Sequence, residues 1–519
     1  MDKKLHIEEE AARCLLCADA PCSRVCKSGN PARAIRAIRF GNGKLAAQWV
    51  ANCTGAELEK AERACIHYDR PIRIREMLKH VDADLKSASQ ESGISTPLQP
   101  SLAITFCGIH CENPFFLASS AVCTNYAMVA RAFDAGWGGV FYKTICKQDI
   151  REVSPRFDAV KEGTSLAGFR NMEQLSENPY EVDFDILRRL KHDYATKVVV
   201  ASIMGQFEEE WIELARMAEE AGCDAVELNF SCPQMRLAGM GSDVGQNPEL
   251  VATYTTYVKN SVRIPVIPKM TPNITHIRLP AMSAYFAGAD AISAINTIKS
   301  ITMSPEAAVS GRLTISGYSG RAVKPIALRY IHEMASNPVL SGSHGKRIQL
   351  SGIGGIETWR DALEFIQLGC RNVQVCTAVM QYGYRIIDDL ILGLENYLAE
   401  RGLASVEVLV GEALPSVVTP TDLDRSTIVY PKIDRNLCIG CGRCYVSCQD
   451  GGHQAIAFDT EERLPSSGEV LGQAKRQSRA GRGLRQPRII GTKCVGCHLC
   501  RLVCPTGAIG TTKRISKKP

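Results

Sequence analysis

PFFLASS (114–120), GGVFYKT (138–144), KVVVASIM (197–204), DAVELNFS (224–231), IPVIPKMTP (264–272), ADAISAINT (289–297), RIQLSGIGG (347–355) and RNVQVCTAV (371–379) form eight successive short apolar runs. Amphipathic stretches such as EEEWIELARMAEEAG (208–222) and ETWRDALEFIQLG (357–369) separate them, with apolar residues spaced near 3.6. Eight β–α units over about 101–400 fit an α/β fold, the (β/α)8 TIM barrel, for which ~250 residues is typical. A doubly wound open sheet is the competing architecture. The eightfold count and the lack of an early GxGxxG favour the barrel.

Beyond these runs the chain changes character. Cys438-x2-Cys441-x2-Cys444-x3-Cys448 and Cys494-x2-Cys497-x2-Cys500-x3-Cys504-Pro505 have the spacing of a two-cluster ferredoxin. In that arrangement the fourth cysteine of each run ligates the other cluster. One [4Fe–4S] cluster would take Cys438, Cys441, Cys444 and Cys504; the second would take Cys494, Cys497, Cys500 and Cys448. Paired CxxC motifs also suit zinc, but a doubled CxxCxxCxxxC is much rarer there. The spacing therefore predicts electron transfer.

The strand ends carry the polar chemistry. Ser119, Lys143, Thr144, Asn229, Ser231, Lys269, Asn296, Thr297, Gly354, Gly355 and Thr377 fall at or just past them, on the face where barrel enzymes keep their active sites. One polar residue there caps a helix or closes a turn; amides, lysines and glycines converging from many strands read as a site. Gly354-Gly355 and Cys376-Thr377 follow strands seven and eight, where barrels commonly bind phosphate on backbone N–H groups. A phosphorylated cofactor is expected. With iron–sulfur motifs on the same chain FMN is the natural choice, because a flavin converts one-electron into two-electron chemistry.

At 519 residues, two or more domains are expected. A hydrophobic content of 45% and a charged content of 22% are ordinary for a soluble globular protein. No apolar run reaches bilayer-spanning length, and the start, MDKKLHIEEE, is charged rather than signal-like. Twenty-two cysteines without a leader argue for metal ligation in a reducing compartment, so a cytoplasmic protein is expected. The segment 461–519 is strongly basic and surrounds the second cysteine run. A cationic shell around anionic clusters accounts for it, and no recognition motif supports nucleic-acid binding. The Ser-, Gly- and Arg-rich insert 465–488 reads as a loop between the ferredoxin halves.

Residues 1–80 read as helical and hold Cys14, Cys17, Cys22, Cys26, Cys53 and Cys65. Six thiols suffice for one cluster and fall short of the eight that two all-cysteine clusters require. The expected organisation is an iron–sulfur domain over 1–80, a linker over 81–100, an FMN barrel over 101–425 and a ferredoxin domain over 426–519.

GWGGVFYKT, ASIMG, ELNFSCPQ, KMTPN, INTIKS, SGYSGRAVKPIALR and SGIGGIET, in this order and followed by the ferredoxin motif, resemble the dihydropyrimidine dehydrogenase family over about 101–510. The likeness is to the bacterial FMN and iron–sulfur subunit, whose barrel is shared with dihydroorotate dehydrogenases. The first eighty residues resemble the cysteine-rich start of the long single-chain enzyme, whose FAD- and NADPH-binding domains are absent here.

The resemblance implies roles residue by residue. Ser119, Lys143, Thr144, Lys269, Gly320, Gly354, Gly355, Cys376 and Thr377 match positions that hold FMN, with Lys269 near the flavin's pyrimidine edge. Asn171, Asn229, Ser231, Asn296 and Thr297 match positions that bind the pyrimidine, whose alternating C=O and N–H edge suits amides. Cys232 matches the acid/base that protonates C5 while hydride arrives at C6. An unperturbed thiol near 8.5 is protonated at neutral pH yet able to give up its proton. A buried packing role is the ordinary fate of a free cysteine, and Cys107, Cys111, Cys123, Cys146, Cys223 and Cys370 are read that way.

Cys14, Cys17, Cys22 and Cys65 look like one complete N-terminal ligand set. Cys26 and Cys53 would need two further ligands, and the glutamine expected near 71–78 is missing. An N-terminal docking module without iron is the alternative. The implied activity is reversible reduction of uracil or thymine, with electrons relayed from an FAD- and NAD(P)-binding flavoprotein partner in a hetero-oligomer. Two other readings stand beside it. A dihydroorotate dehydrogenase-type enzyme would need a cation for its substrate's carboxylate, for which Arg170 is the candidate; an electron carrier would have an inactive barrel.

Overall fold

The eight apolar runs become eight strands: β1 (Phe115–Leu117), β2 (Gly139–Phe141), β3 (Val198–Ile203), β4 (Ala225–Asn229), β5 (Val266–Lys269), β6 (Ala291–Ala294), β7 (Gln349–Ile353) and β8 (Cys370–Val375). In this computed structural model each strand pairs in parallel with its sequence neighbours, and β8 pairs with β1 to close the barrel. The structure describes residues 7–79, 81, 100–162, 165–233, 235, 240–302, 314–342, 345–458 and 487–517. The linker 82–99 and the insert up to 486 lie outside them.

Both faces of a parallel barrel strand are covered, so the strands need apolar residues without alternation. Every residue of β1, β2, β3 and β4 is buried accordingly. Eight helices wrap the outside: α1 (Tyr126–Ala135), α2 (Tyr180–Asp193), α3 (Glu208–Glu220), α4 (Pro248–Ser261), α5 (Arg278–Phe286), α6 (Lys324–Ala335), α7 (Trp359–Gln367) and α8 (Ile387–Glu400). Local chemistry marks their starts. Asn125 accepts the Met128 N–H, Asn247 accepts from Glu249 and Leu250, and Thr358 with Asp361 forms a capping box.

Two crossovers are longer than the rest. The segments after β2 and β6 send strands Phe157–Glu162, Ser165–Asn171, Ile298–Ser300 and Ser316–Ser319 into one antiparallel sheet on the side of the strands' C-terminal ends. That sheet supplies a wall that the barrel alone lacks.

The N-terminal helices share one compact unit with the barrel, residues 7–417. Arg36, on helix Pro31–Arg39, explains this union. Its guanidinium lies 2.6 Å from Asp389 and 3.2 Å from Asp388 at the start of α8. Asn42 donates to the Asp389 carbonyl, Arg385 donates to the Leu16 and Cys17 carbonyls, and Phe40 packs edge-on against Tyr382. Burial pushes the Asp389 carboxyl up to about 6, against the pull of Arg36.

The second unit begins at Val418. It repeats one plan twice: a short strand, a cysteine turn, a helix and a strand. Arg443–Gly451 and Leu499–Leu502 are the helices; Pro431–Ile433 pairs with Ile509–Thr511, and Ile456–Phe458 with Pro487–Ile489. Among the described residues no helix is long and apolar enough to cross a membrane.

Removing Arg36 would take away the ion-pair partner of buried Asp389, leaving Asp388 beside it and Arg33 and Arg385 only at longer range. Arg36→Met is expected to lower stability by ~3 kcal/mol near pH 8, the usual loss when one partner of a buried pair is deleted. A carboxyl raised in the fold favours the folded state at low pH, and that benefit is lost as pH rises through about 6. The penalty of the variant should therefore shrink below pH 6, as urea unfolding at both pH values would show.

Candidate functional site

A cavity opens where the barrel strands end, walled on one side by the added sheet. Ser119 follows β1; Lys143 and Thr144 follow β2; Asn229 and Cys232 end and follow β4; Lys269 ends β5; Asn296 and Thr297 follow β6. Gly354 and Gly355 follow β7, Cys376 and Thr377 follow β8, and Asn171 and Gly320 come from the sheet and its exit. Ser231 alone among the barrel positions singled out does not line the cavity. It is wholly buried behind it, where its hydroxyl donates to Asn229 Oδ1 at 2.8 Å and accepts from Asn296 Nδ2 at 2.8 Å. Ser231 therefore orients two amides rather than facing a ligand.

The other contacts hold the amides equally firmly. Asn229 Nδ2 donates to Thr144 Oγ1 at 2.9 Å, so its carbonyl and amino ends are assigned. Asn296 Oδ1 accepts the Thr297 N–H at 2.7 Å, and Asn171 Oδ1 accepts the Glu173 N–H at 2.6 Å. Cys232 is 6% exposed, on the cavity wall, and its carbonyl accepts the Ser242 N–H at 2.9 Å.

Both lysines are buried, and each has an acidic partner. Lys143 Nζ sits 3.0 Å from Glu173, which also lies 3.5 Å from Arg156. Lys269 Nζ sits 3.3 Å from Glu227, a wholly buried carboxylate on β4 that also accepts from Ser202 and Ser293. The register sets Lys269 beside Asn229 on one side and Ser293 on the other, so these strand ends are level.

Sequence reading missed Glu173 and Glu227. A charged residue inside the apolar run DAVELNFS was a usable signal for Glu227. Nothing local marked Glu173, because its partner comes from a different strand.

At the far end, the glycine pair leaves backbone bare. Gly354 and Gly355 have φ of +126° and +75°, and a Cβ there would come within 2.9 Å of Ala327 and 2.8 Å of Lys324. Only glycine fits, and an anionic group then reaches main-chain N–H groups directly. Glu357 lines the same end, and burial raises its carboxyl to about 7. Two buried cations and a glycine cradle on one cavity fit a phosphorylated planar cofactor such as FMN.

Arg170 does not reach the cavity. Phe169 and Asn171 line it, while Arg170 between them turns away, as strand alternation requires. Its guanidinium donates to Ser316 Oγ at 2.6 Å and to the Thr314 carbonyl at 3.3 Å.

The cysteines gather in fours. Cys438, Cys441, Cys444 and Cys504 line one small cavity, and Cys494, Cys497, Cys500 and Cys448 another, which is the crossed pattern read from the spacing. Cys14, Cys17, Cys22 and Cys65 line a third, closed by Ile35, Ile72 and Ile74. Burial, with help from the neighbouring thiols, raises Cys22 and Cys500 to about 11. Four thiols packed this way resist ionising together until a cationic centre neutralises them.

Two known families match successive parts of the chain. The family model described as dihydroorotate dehydrogenase matches residues 101–398, and the 4Fe-4S dicluster domain matches residues 437–508. The chain is 53% identical over 375 residues to the NAD-dependent dihydropyrimidine dehydrogenase subunit PreA of Escherichia coli (strain K12), covering 71% of this chain and 90% of that protein. It is 38% identical over 341 residues to the chloroplastic dihydropyrimidine dehydrogenase (NADP(+)) of Arabidopsis thaliana, covering 63% and 80%. It is 37% identical over 319 residues to the catalytic subunit of dihydroorotate dehydrogenase B (NAD(+)) of Pyrococcus abyssi (strain GE5 / Orsay), covering 60% and 99%.

An ionised Glu357 opposes an anion at the glycine pair, so cofactor retention should weaken as pH rises through about 7. Glu357→Gln is expected to match the parent at pH 6 and to hold FMN more tightly at pH 8, as read by release of flavin fluorescence.

Proposed function

The chain belongs to the dihydropyrimidine dehydrogenase family and is an oxidoreductase; from that premise we propose that it reversibly reduces the C5=C6 bond of uracil or thymine. The observation that supports this most is the convergence of Asn171, Asn229, Asn296 and Cys232 on the cavity that the Gly354–Gly355 cradle also lines. FMN, when bound, supplies the hydride for C6, and [4Fe–4S] clusters deliver its electrons one at a time.

The chain's own residues would do the rest. Ser119, Thr144, Gly320, Gly354, Gly355, Cys376 and Thr377 would hold the cofactor along the cavity, and Lys143 and Lys269 would place positive charge beside its ring. The amides of Asn171, Asn229 and Asn296, with Thr297, would bind the pyrimidine edge. Because Ser231 and Thr144 hold two of these amides, their donors and acceptors are oriented before the ligand arrives. Cys232 would give its Sγ proton to C5, on a wall from which packing excludes bulk water.

The site argues against a carboxylated pyrimidine. Lys143 and Lys269 are already paired, Arg170 is turned away, and Glu173 places a carboxylate in the wall. Among the described residues of the cavity wall, the cations are already matched by carboxylates, which leaves none free for a substrate carboxylate.

Cys438, Cys441, Cys444 and Cys504 would hold one C-terminal cluster, and Cys494, Cys497, Cys500 and Cys448 the other. Cys14, Cys17, Cys22 and Cys65 would hold a third. An NAD(P)-linked flavoprotein would be the electron source, in a hetero-oligomer; the Escherichia coli relative is itself named a subunit.

Anaerobic turnover with a low-potential dye, followed by loss of pyrimidine absorbance, tests this reading. Uracil or thymine should be reduced, and Cys232→Ala should lose roughly 10²–10⁴-fold in rate with FMN content unchanged. Turnover of orotate alone would move the assignment to dihydroorotate chemistry; FMN without any turnover would favour an electron carrier. Glu173→Gln should raise the orotate-to-uracil rate ratio at least ~10-fold, since it removes a nearby like charge worth a few kcal/mol.

A further inference from the structure

Six thiols lie on and between the N-terminal helices, and one cavity accounts for four of them. The other two have found each other. Cys26 Sγ and Cys53 Sγ are 3.0 Å apart, 27 residues apart in sequence. A disulfide needs about 2.05 Å, so bond formation requires an approach of only ~1 Å.

Both residues are anchored where they stand. The Cys26 N–H donates to the Ser23 carbonyl, the Cys53 N–H donates to the Val50 carbonyl at 2.9 Å, and the Asn30 N–H reaches across to the Trp49 carbonyl at 2.8 Å. The turn between them passes directly over the sulfur. A Cβ on Gly29 would lie 2.6 Å from Cys53 Sγ and 2.5 Å from the Trp49 carbonyl oxygen, so only glycine allows this approach.

Among the described residues, the pair stands apart from the four-cysteine cavity. Neither Cys26 nor Cys53 lines the cavity of Cys14, Cys17, Cys22 and Cys65. The adjacent carboxylate, Glu57, is occupied by the Thr54 N–H and hydroxyl and by the Ser28 hydroxyl.

We propose that Cys26 and Cys53 form a reversible redox-modification site, a dithiol that closes to an intramolecular disulfide while the four iron-site cysteines stay ligated. The oxidant is a low-molecular-weight disulfide such as oxidised glutathione. Cys53, the more exposed of the two, attacks it to give a mixed disulfide and releases one thiol. The buried Cys26 then attacks Cys53 Sγ and expels the second thiol. Two thiols are oxidised, one external disulfide is reduced to two thiols, and no proton or electron is left over. The bond would staple the turn before helix Pro31–Arg39 to the turn before helix Gly55–Arg63.

The test uses the whole, anaerobically purified, iron-loaded chain. It is treated with oxidised glutathione or with dithiothreitol, denatured in an alkylating agent and mapped by mass spectrometry. The expected result is a Cys26–Cys53 linked peptide, two hydrogens lighter, after the oxidant only, reopened by dithiothreitol, with iron content unchanged. Cys26→Ser should retain a glutathione adduct on Cys53, because its resolving thiol is gone. Cys53→Ser, at the more exposed position, should yield free Cys26 and full iron. Alkylation of both thiols after oxidant, a stable adduct on Cys53 in the parent, or iron loss in either variant would overturn the proposal, the last by making the pair iron ligands.

Discussion

Two cations held out of water set the terms for the catalytic end of this protein. Lys143 and Lys269 stand at the ends of β2 and β5, each almost wholly buried. A buried ammonium needs an anion and hydrogen bonds around it, or it does not stay charged. Glu227 meets that need from within the barrel and Glu173 from the loop behind the added sheet. The polar barrel interior follows from the same demand. Ser202 and Ser293 satisfy Glu227, and Ser202 shares a hydrogen bond with Thr144, which holds Asn229. The amides therefore inherit their orientation from a network whose root is a buried ion pair.

The thiol clusters obey the converse rule. Here the groups gathered are thiols, four to a set. Burial and mutual proximity raise thiols such as Cys22 and Cys500, so these favour the protonated form unless a cationic centre replaces the proton. Cys26 and Cys53 stand outside this scheme. Their sulfurs face each other at 3.0 Å, outside the four-cysteine cavity.

Much of this was legible in the chain. All eight apolar runs became barrel strands, because a strand buried on both faces must be apolar throughout and periodicity then has little to hide. The crossed cysteine sets were also readable, since ligand spacing on a tight turn is a local property. The added sheet was not. Its strands are short, and the sheet exists only because Ser165–Asn171 pairs with Ser316–Ser319 from another crossover. Arg170 and Asn171 are neighbours in sequence, yet only alternation within that sheet sends one toward the cavity and the other away.

The sequence by itself determined the barrel, the ferredoxin pattern and many of the polar residues on the cavity wall. Those depend on period, spacing and strand ends, which are properties of short windows. Only the tertiary structure decided that Ser231 orients amides from behind, that Glu173 and Glu227 balance the lysines, that the N-terminal helices join the barrel through Arg36, and that Cys26 meets Cys53. Each depends on a contact between residues distant in the chain, and such a contact exists only once the strands have closed and the helices have docked.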